Sequence, residues 1–129
     1  MKQQENTNQP IKPTNAELEI LQVLWQHGPS TVRLVNDKLN EQKRAVNYTS
    51  TLKLMQIMVE KGMLDRDESS MKHVYTAKLD EKETKSFLLD RFVETMYKGS
   101  ASSLMMQLLE NKKASREELE KIKELLNKL

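Results

Sequence analysis

The chain has 129 residues, of which 37% are hydrophobic and 31% charged, and its formal net charge is +2. That length suits one domain, or a small domain with an appendage, and it can bury a core without covalent staples. There is no cysteine, and the two histidines, His27 and His73, stand far apart in sequence. Disulfides, thiolate metal sites and cysteine nucleophiles are therefore excluded, and neither a metal nor a cofactor is expected.

No run of about 18 apolar residues occurs, so no membrane insertion is expected. The opening MKQQENTNQPIKP lacks the apolar core of a signal peptide, which points to a cytoplasmic protein. Residues 1–13, rich in Gln, Asn and Lys with Pro10 and Pro13, read as a disordered arm. Thr14-Asn15-Ala16-Glu17 is an S/T-x-x-E capping box. It opens a helix with Leu18, Leu21, Leu24 and Trp25 on one face, ending near His27-Gly28-Pro29. Ser30 or Thr31 caps a second, shorter helix with Val32, Val35 and Leu39 at i, i+3 and i+7. A polar connector, Asn40 to Asn47, carries Lys43 and Arg44.

The stretch Asn47–Gly62 predicts a helix with two faces. Thr51, Leu54, Met55 and Met58 fall at i, i+3, i+4 and i+7 and form a core-facing stripe. Thr49, Lys53, Gln56 and Glu60 form a second stripe of hydrogen-bonding or charged groups, richest in hydroxyls at the N-terminal end. Helix N-termini favour phosphate, and recognition helices touch base edges with their N-terminal residues. Gly62 supplies the left-handed residue that ends the helix. Beyond it the period shortens. Residues 63–67 and 72–77 read as two strands around the polar turn Glu68–Met71. Three helices followed by a hairpin is the order of a winged helix-turn-helix, with the hairpin as a two-to-three-stranded wing.

Asp80-Glu81-Lys82-Glu83 opens a long helix with Leu89, Phe92, Val93 and Met96 along one face, broken at Tyr97–Ser100. A fifth helix, about 101–111, carries Leu104, Met105, Leu108 and Leu109. Another capping box at Ser115–Glu118 starts a sixth, with Leu119, Ile122, Leu125, Leu126 and Leu129 apolar. Short helices with apolar faces need a second surface, so residues 80–129 are read as a helical dimerisation domain. Leu89, Phe92, Met96, Leu104, Leu108, Leu119, Ile122 and Leu126 are its expected contact residues. Met55, Met58, Met96, Met105 and Met106 sit at core spacing and read as packing. The expected architecture is mainly α: a disordered arm (1–13), a winged-helix domain (14–79) and the helical domain (80–129).

Charge is distributed unevenly. Residues 30–79 hold nine Lys/Arg against six Asp/Glu, whereas residues 80–129 hold ten of each. The basic excess therefore lies around the central helix, where Arg33, Lys38, Lys43, Arg44, Lys53, Arg66 and Lys72 are available to phosphates.

Two groups of residues stand out together: Pro13-Thr14-Asn15-Ala16-Glu17-Leu18-Glu19-Ile20-Leu21 with Leu24-Trp25, and Tyr48-Thr49-Ser50-Thr51-Leu52 with Glu60-Lys61-Gly62-Met63-Leu64. Tyr75, Tyr97-Lys98-Gly99 and Ser115-Arg116-Glu117-Glu118-Leu119 add to them. In these residues the chain resembles the BlaI/MecI family of penicillinase and methicillin-resistance repressors, which also includes the copper-responsive CopY repressors. The resemblance covers roughly residues 13–129. It implies a homodimeric winged-helix repressor that binds inverted-repeat operators in double-stranded DNA, among them promoters of antibiotic-resistance genes. Position by position, it implies base contacts from Tyr48, Thr49, Ser50 and Lys53. Arg33, Lys43, Arg44, Arg66 and Lys72 would then contact phosphates. In the antibiotic-responsive members a membrane-bound sensor protease leads to cleavage within the tail. The corresponding bond is Gln107-Leu108, where those members carry Asn-Phe, a departure from the pattern. The copper-type members use a C-terminal cysteine motif, and a chain without cysteine excludes that mechanism.

Two other readings of the residues are a winged-helix adaptor that binds protein, and a regulator gated by a small molecule. No Gly-rich phosphate loop and no nucleophile–base arrangement points to an enzyme.

Overall fold

The computed structural model describes residues 11–42 and 45–129. The elements run α1 (Asn15–His27), α2 (Val32–Gln42), α3 (Tyr48–Glu60), β1 (Leu64–Asp67), β2 (Val74–Ala77), α4 (Glu81–Tyr97), α5 (Ala101–Glu110) and α6 (Arg116–Asn127). The chain divides into two compact units, Met1–Lys85 and Ser86–Leu129.

In the first unit, α1 starts at the capping box expected from the sequence. The Glu17 backbone N–H donates to Thr14 Oγ1 (3.2 Å), and the Thr14 N–H donates to Glu17 Oε1 (2.8 Å). The second carboxylate oxygen accepts from Lys61 Nζ at 2.8 Å, although the Glu17 side chain is only 2% exposed. One carboxylate thus caps the start of α1 and holds the residue that ends α3. Thr31 caps α2, accepting from the Leu34 N–H (3.2 Å), while Ser30 turns its hydroxyl back to the Gly28 carbonyl (2.8 Å).

Asn47 caps α3 by accepting from the Ser50 N–H (2.8 Å). The far end closes with Gly62 at φ +85°. Its N–H donates to the Val59 carbonyl (3.1 Å) and that of Met63 to Met58 (2.9 Å). This pairing satisfies carbonyls left open by the helix end and needs a left-handed residue at position 62.

The hairpin β1–β2 is antiparallel, with Arg66 opposite Tyr75. Ser30 adds a third, single-residue rung: its N–H donates to the Tyr75 carbonyl (2.9 Å) and its carbonyl accepts from the Tyr75 N–H (2.8 Å). The wing is therefore sewn to the α1–α2 corner. Three helices and this wing make the winged helix-turn-helix expected from the sequence. The strands are shorter than the expected 63–67 and 72–77, because the turn widens to take in Lys72 and His73.

The core gathers Ile20, Leu21, Val23 and Leu24 from α1, Val32, Val35 and Leu39 from α2, and Met55 and Met58 from α3. Met63, Leu64 and Tyr75 complete it from the hairpin. Two segments differ from the expected boundaries. Pro13 is buried and Ile11 packs against the core, so residues 11–13 belong with the first unit. Residues 1–10 lie outside the described residues. The first unit also continues into the first turn of α4, where Thr84 is buried and Lys85 Nζ stands 5.9 Å over the Trp25 ring. Trp25 Nε1 donates to the Leu79 carbonyl at 2.9 Å, tying this segment to α1.

In the second unit no residue of α5 or α6 is buried. Leu89, Phe92, Met96, Leu108, Leu119, Ile122 and Leu126 are all exposed, and Leu104 is half-buried. Of the methionines expected to pack, Met55 and Met58 do, whereas Met96, Met105 and Met106 are exposed. Among the described residues, no helix is long and apolar enough to cross a membrane.

Burial works against ionisation of Glu17, but the hydrogen bonds from Lys61 and Thr14 outweigh it and hold its pKa below the usual 4.5. A carboxyl lowered on folding stabilises the protein above its unfolded pKa, and that stability is lost as pH falls through the folded value. Glu17→Gln is expected to cost about 1–2 kcal/mol near neutral pH, discounted because Lys61 is half exposed. Urea denaturation should show the gap between variant and parent closing as pH falls below the usual 4.5. A gap that persists unchanged in acid contradicts this role.

Candidate nucleic-acid interface

At about 100° per residue, α3 presents Thr51, Met55 and Met58 to the core and Thr49, Lys53, Gln56 and Glu60 to the opposite side. The first three are buried and the last four exposed, as their spacing predicts. Leu54 is half-buried at the edge of the core stripe. The outward face starts at the helix N-terminus, where unpaired backbone N–H groups favour anionic or hydrogen-bonding ligands.

The four expected base-contact residues do not share one line. Thr49 and Lys53 stand at the centre of the outward face. Tyr48 lies on the flank nearer α2 and the wing, and Ser50 on the flank nearer α1. Each flank borders a recess. Ser50 lines a small one, about 200 Å³, together with Ala16 and Leu39. Tyr48 lines a larger open groove of about 430 Å³, built from the start of α2, the start of α3 and the wing turn. Val32, Leu52 and Tyr75 supply its apolar base, while Arg33, Lys72 and His73 supply polar groups.

The expected phosphate contacts fall into three sets. Arg33 places its guanidinium carbon 4.8 Å over the Tyr48 ring. Lys72 is exposed on the wing beside the same groove. Arg66, in contrast, is already engaged: Nε donates to Glu68 Oε2 at 2.6 Å. Hydrogen bonding to the Tyr75 side chain, and then to Glu68, pushes the Arg66 pKa further up. Lys43 and Arg44 lie outside the described residues. The wing acid Asp67 is likewise occupied, accepting from the Ser69 N–H at 2.9 Å, and that bond holds its carboxyl below the usual range.

A buried amide that sequence reading did not single out sets the pose of α3. Asn36, 5% exposed, donates through Nδ2 to the Val46 carbonyl (2.9 Å) and to Thr51 Oγ1 (2.8 Å). Its Oδ1 accepts from Asn40 Nδ2 (3.2 Å), and Asn40 Oδ1 accepts from the Val46 N–H (2.6 Å). Both backbone groups of Val46 are thereby held, and α2 is joined to the first turn of α3. The signal was present in the sequence as a polar residue, Asn36, next to Val35 within an apolar period. It could not be separated there from a solvent-facing asparagine.

Replacing Asn36 with Ala leaves the Val46 carbonyl and the Thr51 hydroxyl without a donor. The expected cost is about 1–3 kcal/mol. It can be read by urea unfolding with Trp25, the chain's one tryptophan, as probe. A variant as stable as the parent would show that water replaces the amide at no cost.

Residues 13–128 match the family model described as Penicillinase repressor. The penicillinase repressor of Bacillus licheniformis is 26% identical over 113 residues, covering 88% of each chain. The methicillin resistance regulatory protein MecI of Staphylococcus aureus strain N315 is 24% identical over 121 residues, covering 94% of this chain and 98% of that one. Among solved structures, a MarR family protein from Bacillus stearothermophilus aligns with 95% of this chain and 75% of its own, at 24% identity and a TM-score of 0.48. With the family model spanning all but the ends, the chain belongs to the penicillinase repressor family, a family of DNA-binding transcriptional repressors and not of enzymes.

Proposed function

We propose that the protein acts as a cytoplasmic homodimer that represses transcription by binding an inverted-repeat operator in double-stranded DNA. The observation that carries this reading is the arrangement of α3. Its inner face is fixed in the core, while Thr49 and Lys53 stand exposed at the N-terminal end of its outer face. Thr and Ser hydroxyls can pair with either donor or acceptor base edges, and the Thr methyl can meet a thymine methyl. Lys53 has no ion-pair partner among the described residues, so its ammonium is available to a base or a phosphate.

The tail supports the dimer. Leu89, Phe92 and Met96 on α4, Leu108 on α5, and Leu119, Ile122 and Leu126 on α6 are exposed in a single chain. Leu104, half-buried, joins them. Apolar faces repeated along three helices call for a second apolar surface, and a second copy supplies one by symmetry. Residues 80–129 are proposed as that dimerisation domain. Two-fold symmetry then presents two copies of α3 to the two halves of a palindrome. Derepression is proposed to run through a membrane-bound sensor protease and the Gln107-Leu108 bond, in the C-terminal half of α5. Both residues are exposed in the single chain, and cutting there would divide a helix that carries Leu104 and Leu108 of the proposed dimer face.

Thr49→Ala is expected to cost about 1–3 kcal/mol of discrimination between operator and random duplex, and Ser50→Ala less, since it stands on the flank. Competition binding with the two duplexes measures this. Discrimination unchanged in both variants contradicts the placement of α3 in the groove. Sedimentation of the purified protein tests the tail: a stable symmetric dimer is expected, with Ile122→Asp shifting it towards monomer. A monomeric parent would favour the adaptor reading, in which the exposed apolar helices meet a different protein.

A further inference from the structure

The groove between the starts of α2 and α3 and the wing is built from three elements separated in sequence, yet the charged groups lining it, Arg33 and Lys72, are both cationic. Arg33 comes from the first turn of α2, Lys72 and His73 from the wing turn, and Thr31 from the α2 cap. No carboxylate is among the described residues that line it. Of the wing acids, Asp67 accepts from the Ser69 N–H and Glu68 pairs with Arg66, while Asp37, one helical turn beyond Arg33 on α2, stands outside the lining. A concave surface lined by cationic and donor groups, with the acids outside it, is suited to an anion.

Arg33 is the one cation of this set held in place by a side chain. Its guanidinium carbon lies 4.8 Å over the Tyr48 ring, a cation–π contact. That contact uses the charge of the group and not its N–H donors, a planar fork that matches two oxygens of a phosphate. The ring therefore restricts where the guanidinium sits without occupying what it would use.

We propose that this groove seats one phosphodiester of the DNA backbone, with Arg33 as its principal donor and Tyr48 as the residue that positions Arg33. This rests on the repressor reading and refines it: Tyr48 acts through Arg33 and not on a base edge. Lys72 and His73 close the seat from the wing. Arg66, satisfied by Glu68 and Tyr75, is outside it. The wing and α3 then grip the same stretch of backbone, which fixes the register in which Thr49 and Lys53 meet the bases.

The test is the salt dependence of binding to a random-sequence duplex, measured by fluorescence anisotropy for the full chain. Sequence recognition plays no part there, and each neutralised phosphate adds about 0.9 to the logarithmic slope. Arg33→Gln is expected to lower the slope by about 0.9 per chain, which for a dimer seating two phosphates is an approximately 12-fold smaller loss of affinity between 50 and 200 mM salt. Tyr48→Leu should weaken binding in the parent and add nothing in the Arg33→Gln background, as a residue acting through Arg33 must. Tyr48→Phe, which keeps the ring face, should restore most of what Tyr48→Leu loses. Salt-dependent binding with an unchanged slope in Arg33→Gln overturns the seat. Additive losses from Tyr48→Leu and Arg33→Gln put Tyr48 on the DNA itself and overturn its positioning role. A parent that binds no DNA at any salt concentration overturns the repressor reading, and the seat with it.

Discussion

The pose of α3 depends on polar anchors at its two ends, and the site follows from them. At the N-terminal end, the Asn36 amide bonds both the Val46 carbonyl and the Thr51 hydroxyl. At the C-terminal end, Lys61 reaches the buried carboxylate of Glu17. Apolar packing by Met55 and Met58 holds the helix against α1 and α2 but is tolerant of rotation and sliding. The hydrogen bonds are not, because a shift of about an ångström leaves the buried Asn36 amide or Glu17 carboxylate unpaired at a cost of about 1–3 kcal/mol. Rotation of α3 by one position would turn Thr49 away from the outer face. The polar anchors thus convert a packed helix into an oriented one.

The two anchors also explain why separate stretches of sequence go together. The capping box at residues 14–17 and the segment Glu60–Leu64 are far apart in the chain, yet both carry the family resemblance. Glu17 serves both: one oxygen caps α1, the other pairs with the residue that ends α3. A small net charge conceals a similar division of labour. Arg66 is neutralised within the wing by Glu68, whereas Arg33, Lys53 and Lys72 keep their charge on the surface that faces the proposed DNA. Affinity for a polyanion depends on this local arrangement more than on the total of +2.

Features set by nearest neighbours were legible in the sequence. The boxes at Thr14 and Ser115 and the Gly62 terminus all depend on groups within about one turn, and all stand where their spacing places them. The inner and outer stripes of α3 followed from the helical period. Features set by tertiary neighbours were less legible. On α1 the expected face included Leu18 and Trp25, which are only partly buried, and omitted Ile20 and Val23, which are fully buried. That helix packs against α2, α3 and β2 at once, so its buried arc is wider than one stripe. Within the candidate site, Thr49 and Lys53 were readable from periodicity. The division of Tyr48 and Ser50 between opposite flanks was not, because it depends on which element lies beside each. The pairing of Arg66 with Tyr75 needed the strand register, and that of Arg33 with Tyr48 needed the angle between α2 and α3.

The most direct test of the account is a fluorescence anisotropy titration of the purified chain against duplex DNA from upstream of its own gene, beside a shuffled duplex of equal composition. Run well above the dissociation constant, it reads stoichiometry as well as preference. The account requires preferential binding to the native duplex, saturating at two chains per inverted repeat. Equal, weak and salt-sensitive binding to both duplexes, or saturation by a single chain, would contradict it.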